Sequence, residues 1–385
     1  MGKIVYLDYQ ASTPMDPGVL AAMEPYYREN PGNPHAVDHA AGWTAQKAID
    51  AASVTIARQI GADPDEVVFT SGATEANNQA ILGFAARAPK QRRRILVSAI
   101  EHKCVLAAAR ASASRFGISL ETIPVTAGGI IDLESLGSLM GEDVLCVAAM
   151  AVNNEIGTIQ PLQDIGRLCA KHGAIFHCDA VQAPLAIPLD VYDLNIGSLS
   201  LSAHKLYGPK GVGAIYIRRD LQDQIEPLIY GGGQQRNLRS GTLPTPLCVG
   251  FGAAVKILQS HTFDAERDRI AALRDKLESR LCSLGNFIRT NAAESPRHPG
   301  NLNIQFDGYR AEDILAAVQP KLAASTGSAC TSGTPEPSHV LRAIGLSAQQ
   351  AASSIRFSLG RFTVADDIDS AVQLIGDALQ ATRLH

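Results

Sequence analysis

Residues 198–213 read SLSLSAHKLYGPKGVG, an apolar strand pattern that stops at Ser202, with Lys205 three residues later beside His204. A lysine at the carboxyl edge of a parallel sheet lies where open α/β folds bind their ligands. Desolvated there, its amine loses basicity and becomes a nucleophile able to form a Schiff base. In a solvated turn it is only a surface cation, which is how we read Lys210. A second stretch, AASTGSACTSG at 323–333, surrounds Cys330 with small residues and no bulky apolar neighbour. Core thiols pack as small hydrophobes among larger ones, so this one does not read as core. Gly327 and Gly333 supply hinges, which leaves a reactive thiol on an arm or a free cysteine in a surface loop.

A Schiff-base lysine points to pyridoxal 5'-phosphate, and that cofactor makes demands of its own. Its phosphate needs a helix N-terminus with free N–H groups and hydroxyls, and TSGATEANN at 70–78 runs from a strand into one. Its pyridine nitrogen needs a carboxylate that keeps the ring an electron sink. Asp179, in HCDAVQ, ends an apolar strand and could meet that need, or could merely cap the next helix. His102 in IEHKCVL, Asn153 and Gln182 stand at further strand ends, as a ring-stacking partner and hydrogen-bond donors would. Other ligand chemistries fit less well. After Gly211 and Gly213 the third position of a dinucleotide fingerprint is Tyr216, and no G-K-[ST] occurs. His35 and His39 are spaced i, i+4 but lack the adjacent glutamate and a third ligand, so no metal site is expected.

These residues require strands that end together. From 64 to about 217 short apolar runs (66–70, 94–98, 144–150, 174–179, 198–202, 213–218) alternate with amphipathic segments such as 73–86, 103–116 and 162–172. Strands apolar on both faces, alternating with helices, predict a largely parallel sheet covered on both sides. Helix signals dominate 245–284, interrupted near His261. A strand at 301–306, a helix at 311–318, a strand at 354–359 and a final helix at 365–381 then predict a smaller α+β domain. The charge of −4 carries no footprint for nucleic acid, and KQRRR at 90–94 reads as a solvated loop. Seven scattered cysteines without a C-x-x-C pair indicate a reducing compartment. The start MGKIVYLDYQ does not read as a signal peptide, and no apolar run approaches the ~18 residues of a membrane span. A soluble, cytoplasmic protein is expected.

VYLDYQASTP, TSGATEANN, EHK, VNNEIG, HCDAVQ, SAHKLYGPKGVG, RSGT and STGSACTSG, in this order, resemble cysteine desulfurases of the NifS/IscS type over nearly the whole chain. The resemblance implies an aminotransferase-like α/β fold (pyridoxal-phosphate fold-type I). Its large domain would span 15–258. A small domain of 1–14 and 259–385 would carry a cysteine loop at about 323–337, long as in group I. It implies a homodimer that takes sulfur from L-cysteine, gives L-alanine and holds a persulfide on Cys330. The sulfur would pass to an acceptor such as an iron–sulfur scaffold or a thiolation protein. Lys205 would hold the cofactor and move the Cα proton, and His102 would stack on the ring and manage protons. Ala73, Thr74, Ser202 and His204 would bind the phosphate, and Thr242 would reach that of the neighbouring subunit. Asp179 would pair with the ring nitrogen, and Asn153 and Gln182 with the ring's oxygen side. Asn33 and Arg356 resemble the substrate-carboxylate site, with Arg361 a rival; an arginine's planar fork suits a carboxylate. Selenocysteine lyase or another lyase or aminotransferase reaction is the alternative. Departures are mild: Ser12, Ala203 and Thr326 replace commoner threonine, glycine and serine. The sequence ends soon after its last helix, so a longer tail for a scaffold partner is not expected.

Overall fold

The structure is a computed structural model that describes residues 4–260, 263–326 and 337–382. Its strands are β1 (Val5–Tyr6), β2 (Val67–Thr70), β3 (Arg94–Ser98), β4 (Ser119–Ile123), β5 (Val144–Ala148), β6 (Ile175–Asp179), β7 (Ser198–Ser202), β8 (Gly213–Ile217), β9 (Ile288–Thr290), β10 (Asn301–Phe306), β11 (Leu322–Ala323) and β12 (Ser354–Ser358). The main sheet has the order β2-β8-β7-β6-β5-β3-β4. Pairings from β7 through β4 are parallel, whereas β8 runs antiparallel to both β7 and β2. Strands β5 and β7 are buried along their whole length, as expected where helices cover both faces of a sheet. The edge strand β4 escaped the sequence reading because SLETI buries only Ile123 fully and shows no apolar run.

Helices α1 (Pro17–Arg28) and α2 (Ala40–Gln59) precede the sheet. Next come α3 (Ala73–Ala86), α4 (Lys103–Phe116), α5 (Leu133–Leu139) and α6 (Leu162–His172), of which α3, α4 and α6 stand where amphipathic spacing predicts them. α4 and α6 each stop at a glycine with φ of 65°, Gly117 and Gly173, the left-handed cap that lacks a Cβ penalty. One apolar core, with Ile56, Phe176 and Phe251, fills one face of the sheet; a second, with Ile81, Phe84 and Ile215, fills the other. The basic run before β3 is anchored rather than loose. Arg92 donates to the carbonyls of Val144 and His172, and Arg94 pairs with Asp143 and Glu121.

The helical region divides into α7 (Thr245–Leu258) and α8 (Phe263–Cys282). Beyond it a small antiparallel sheet, β12-β10-β9, packs with a C-terminal helix, Ala365–Ala381. Leu7 from the N-terminus joins Leu302, Phe306, Phe357 and Ile368 in that separate core. β1 pairs in parallel with β11, and Asp8 bridges to Ser358. The segment after β1 is thereby fixed against the small sheet while it runs across the carboxyl ends of the large one.

Candidate active site

The carboxyl ends of the parallel strands and the segment after β1 enclose a cavity of about 570 Å³. β7 ends at Ser202, and one tight helical turn, Ala203–Lys205, carries Lys205 into it. The Lys205 Nζ donates to the carbonyl oxygens of Gln10 at 2.6 Å and Ala11 at 2.7 Å. His204 lies 3.2 Å from Ser12 Oγ through Nδ1. Burial, helped by the positive charges of Lys205 and Lys210, pushes His204 down to about 4, so the ring is neutral near pH 7. Facing these groups is the start of α3. Its N-cap is Gly72, which has no side chain to occupy the first N–H groups, and Ala73 and Thr74 line the cavity beside Ser202.

Asp179, the last residue of β6, is 6 % exposed and accepts from Asn77 Nδ2 at 2.8 Å and from Val181 N–H at 3.1 Å. Buried Glu101 is pushed well above the carboxylate range, by burial first and by Asp179 second. His102 caps α4 by accepting the Cys104 N–H at Nδ1 (3.2 Å), and Cys104 Sγ lies 2.9 Å from the same nitrogen. The accepting Nδ1 leaves the proton of a neutral ring on Nε2. Gln182 lines the cavity and donates to the Gln10 carbonyl at 3.0 Å.

Asn153 departs from expectation and is corrected. Its side chain is fully buried and committed: Nδ2 donates to the Ile100 carbonyl, and Oδ1 accepts from Glu155 and Ile156. The cavity is lined by Asn154 instead. Two consecutive asparagines at a strand end face opposite ways, and spacing alone does not say which one looks inward. Asn33 also stands apart: it is exposed, its Oδ1 accepts the His35 N–H at 3.0 Å, and it does not line the cavity. Thr242 is exposed and likewise outside the lining of its own chain's cavity. Cys330 lies outside the described residues.

Of the two arginines, Arg356 on β12 lines the cavity. It is 4 % exposed; Nη1 donates to the Asn154 carbonyl and Nη2 to Asp8 Oδ1, both at 2.7 Å. Arg361 is bound elsewhere, to Asp16 and Glu266, with its guanidinium 4.3 Å from the centre of the Tyr207 ring. Lys210, read as a surface lysine, is exposed but stands at the cavity wall. Sequence reasoning missed Asp8, Gln10 and Asn77. Only Asn77 carried a signal, standing three residues beyond Thr74 on the first turns of α3. Among the described residues no group of three His, Cys, Asp or Glu could hold a metal ion. His39 is the N-cap of α2, so His35 and His39 do not share a helix face.

The family model for aminotransferase class V matches residues 5–371. The chain belongs to the aminotransferase class-V family. It is 45 % identical over 379 residues to the cysteine desulfurase IscS of Rickettsia akari (strain Hartford), covering 98 % of this chain and 92 % of that one. Identity, overlap and coverage are the same for the IscS of Rickettsia prowazekii (strain Madrid E). Among solved structures, a NifS-like protein superimposes with a TM-score of 0.91 at 35 % identity, covering 98 % of this chain and 100 % of that one. SspA in complex with cysteine superimposes with a TM-score of 0.82 at 36 % identity, covering 93 % and 99 %. This class-V chain uses pyridoxal 5'-phosphate. The cavity fits that group, with an amine at a strand end, a helix start whose N-cap lacks a side chain, and a buried carboxylate on the adjacent strand.

Proposed function

We propose that this protein is a cysteine desulfurase. The observation that carries the reading is the convergence of Lys205, Asp179 and Arg356 on one cavity, with a cysteine-bound relative, SspA, sharing the fold. Pyridoxal phosphate supplies an electron sink for charge that develops on the substrate. Lys205 would hold it covalently, Ala73, Thr74, Ser202 and His204 would take its phosphate, and Asp179 would pair with its ring nitrogen. His102 would stack on the ring, and Gln182 with Asn154 would serve its oxygen side. Arg356 receives the carboxylate of L-cysteine through the donors that Asp8 and Asn154 leave available. The Lys205 amine, at the strand end inside the cavity, would move the Cα proton of the substrate. The Cys330 thiolate attacks the substrate sulfur; a sulfur–sulfur bond forms and the Cβ–S bond breaks. The carbon keeps that bond's electron pair, takes up protons and leaves as L-alanine, while Cys330 retains the sulfur as a persulfide. His102 gives or takes the proton of the substrate thiol.

The protein works as a homodimer in which Thr242 serves the neighbouring site. Exposed Trp43 (59 %) and Val37 (75 %), which lie side by side with the indole N–H donating to the Val37 carbonyl, support an apolar contact between copies. The separate core around Leu7 and Phe357 supports a small domain of 1–14 and 259–385 beside a large one of 15–258. The acceptor of the sulfur is an iron–sulfur scaffold or a thiolation protein. A cytoplasmic location agrees with cysteines scattered along the sequence, unpaired among the described residues; among those residues no helix is long and apolar enough to cross a membrane.

The test is chemical. Purified protein should release alanine from L-cysteine. Trapped before reductant is added, it should carry one extra sulfur on the peptide containing STGSACTSG. Cys330→Ser should still bind cofactor and produce almost no alanine. Persulfide on Cys104 or Cys178, or normal turnover by Cys330→Ser, would remove the nucleophile from this mechanism.

A further inference from the structure

Behind Asp179 the buried interior holds a line of hydrogen bonds that the proposed reaction does not use. Asn77 on α3 is fully buried, and its Nδ2 donates to Asp179 Oδ2 at 2.8 Å. A carboxylate only accepts, so this bond fixes the amide's orientation and turns Oδ1 toward β6. There it meets His177 Nε2 at 2.9 Å. An amide oxygen also only accepts, so His177 must carry its proton on Nε2 and leave Nδ1 as an acceptor. Nδ1 lies 2.8 Å from Ser198 Oγ on β7, which therefore donates. Burial keeps the imidazole at about 4 and hence neutral, so each link has a single direction. Ser198 donates to His177, His177 to Asn77, and Asn77 to Asp179. The second Asn77 contact is to Cys104 Sγ at 3.4 Å, beside His102.

We propose that Asn77 and His177 are positioning residues for Asp179, and that this one-way chain from Ser198 fixes its carboxylate plane against the cofactor ring. The inference rests on the reading that Asp179 faces the ring nitrogen. Three elements, α3, β6 and β7, each contribute to the chain, so the carboxylate is oriented by the rigid scaffold rather than by a loop. His177 lies outside the cavity lining; Asn77 lines the cavity, but its amide is committed to Asp179 and His177. Losing either should loosen the cofactor and slow turnover while leaving substrate affinity alone.

The experiment uses holoenzyme variants Asn77→Ala, His177→Gln and Ser198→Ala. Asp179→Asn tests the underlying reading, and Ser200→Ala is a buried control on β7 whose hydroxyl has no hydrogen-bond partner among the described residues. Release of pyridoxal phosphate, visible circular dichroism of the bound cofactor, and kcat and KM are measured. Asn77→Ala should release cofactor about tenfold faster, the scale of lost second-layer partners at bound groups. It should also show altered dichroism and a lowered kcat, with KM for cysteine unchanged. His177→Gln should follow in the same direction, and Ser198→Ala, the most conservative change, more weakly; Ser200→Ala should match wild type. If Asp179→Asn disturbs release and dichroism while Asn77→Ala and Ser198→Ala do not, the relay is refuted and the Asp179 reading survives. If Asp179→Asn itself leaves both unchanged, the reading beneath the relay fails. Should Asn77→Ala not fold, Ser198→Ala decides alone: wild-type release and dichroism there overturn the proposal.

Discussion

Replacing Arg356 by lysine keeps the charge and removes the fork, so it isolates geometry from electrostatics. In the structure the guanidinium makes two contacts at 2.7 Å in different directions, to Asp8 Oδ1 and to the Asn154 carbonyl. These hold its plane and leave further N–H groups for a ligand. A lysine Nζ is a single point on a flexible stem. If it meets Asp8 it presents no parallel pair of donors to a substrate carboxylate. The loss amounts to about one hydrogen bond between charged groups, about 2–3 kcal/mol. That corresponds to a rise in KM for L-cysteine of roughly 30- to 150-fold. Alanine release at graded cysteine concentrations measures it, and the absorption of bound cofactor should not change. Arg361→Lys supplies the contrast. Arg361 is engaged by Asp16, Glu266 and the Tyr207 ring, so its replacement should lower stability and spare KM. If Arg356→Lys leaves KM within about threefold of wild type while Arg361→Lys raises it strongly, the reasoning fails and the two roles must be exchanged.

Lys205→Ala should abolish turnover and prevent borohydride from fixing pyridoxal to the chain; fixation as efficient as in wild type would show another amine at work. Mixing Lys205→Ala subunits with subunits crippled at Thr242 by a bulky side chain should restore part of the activity, because one site of each heterodimer then carries neither lesion. Verified subunit exchange without recovered activity would place Thr242 in its own subunit's site or in neither. His298, fully buried, is pushed down to about 3, by burial first and then by Arg267 and Arg274. The unfolded chain therefore binds a proton that the folded chain refuses. This contribution is whole above the unfolded value of roughly 6.5 and is lost as pH falls toward 3, by up to about 1.4 kcal/mol per pH unit. Urea unfolding at pH 7 and pH 4.5 should show a smaller loss for His298→Gln than for wild type, and equal losses would refute the linkage.

The sequence was most legible where local pattern and burial agree. β3, β5, β6 and β7 are buried over nearly all of their length, and α3, α4 and α6 fall where amphipathic spacing puts them. β4 was illegible because an edge strand needs little apolar surface. β1 and β11 were illegible because two-residue strands carry no period. In the site, residues at strand termini were readable because a terminus fixes position along the sheet axis. Facing was not, which is why Asn153 and Asn154 had to be exchanged. Asp8 and Gln10 were invisible for another reason: they act from a segment placed by long-range pairing, β1 with β11 and Asp8 with Ser358. No local pattern encodes such a contact.

The remaining question is which thiol can serve as the sulfur nucleophile, and electrostatics removes most candidates. Burial pushes Cys146 and Cys248 up to about 12, and raises Cys169, Cys178 and Cys282 as well. A thiol at about 12 is ionised in only about one molecule in 10⁵ at pH 7, and the thiolate is the attacking form. Cys104 is different, because it lines the cavity 2.9 Å from His102 Nδ1. Yet it sits in the first turn of α4, with its own N–H capped by His102, so its sulfur is fixed to the helix. A persulfide carrier must meet the substrate sulfur in the cavity and then present it to another protein. A thiol on a helix end can satisfy the first requirement without the second. Cys330, set among small residues with Gly327 and Gly333 on either side, is the one cysteine whose sequence setting answers to both. Mapping the persulfide between Cys104 and Cys330 therefore separates a nucleophile chosen for proximity to the cofactor from one chosen for delivery.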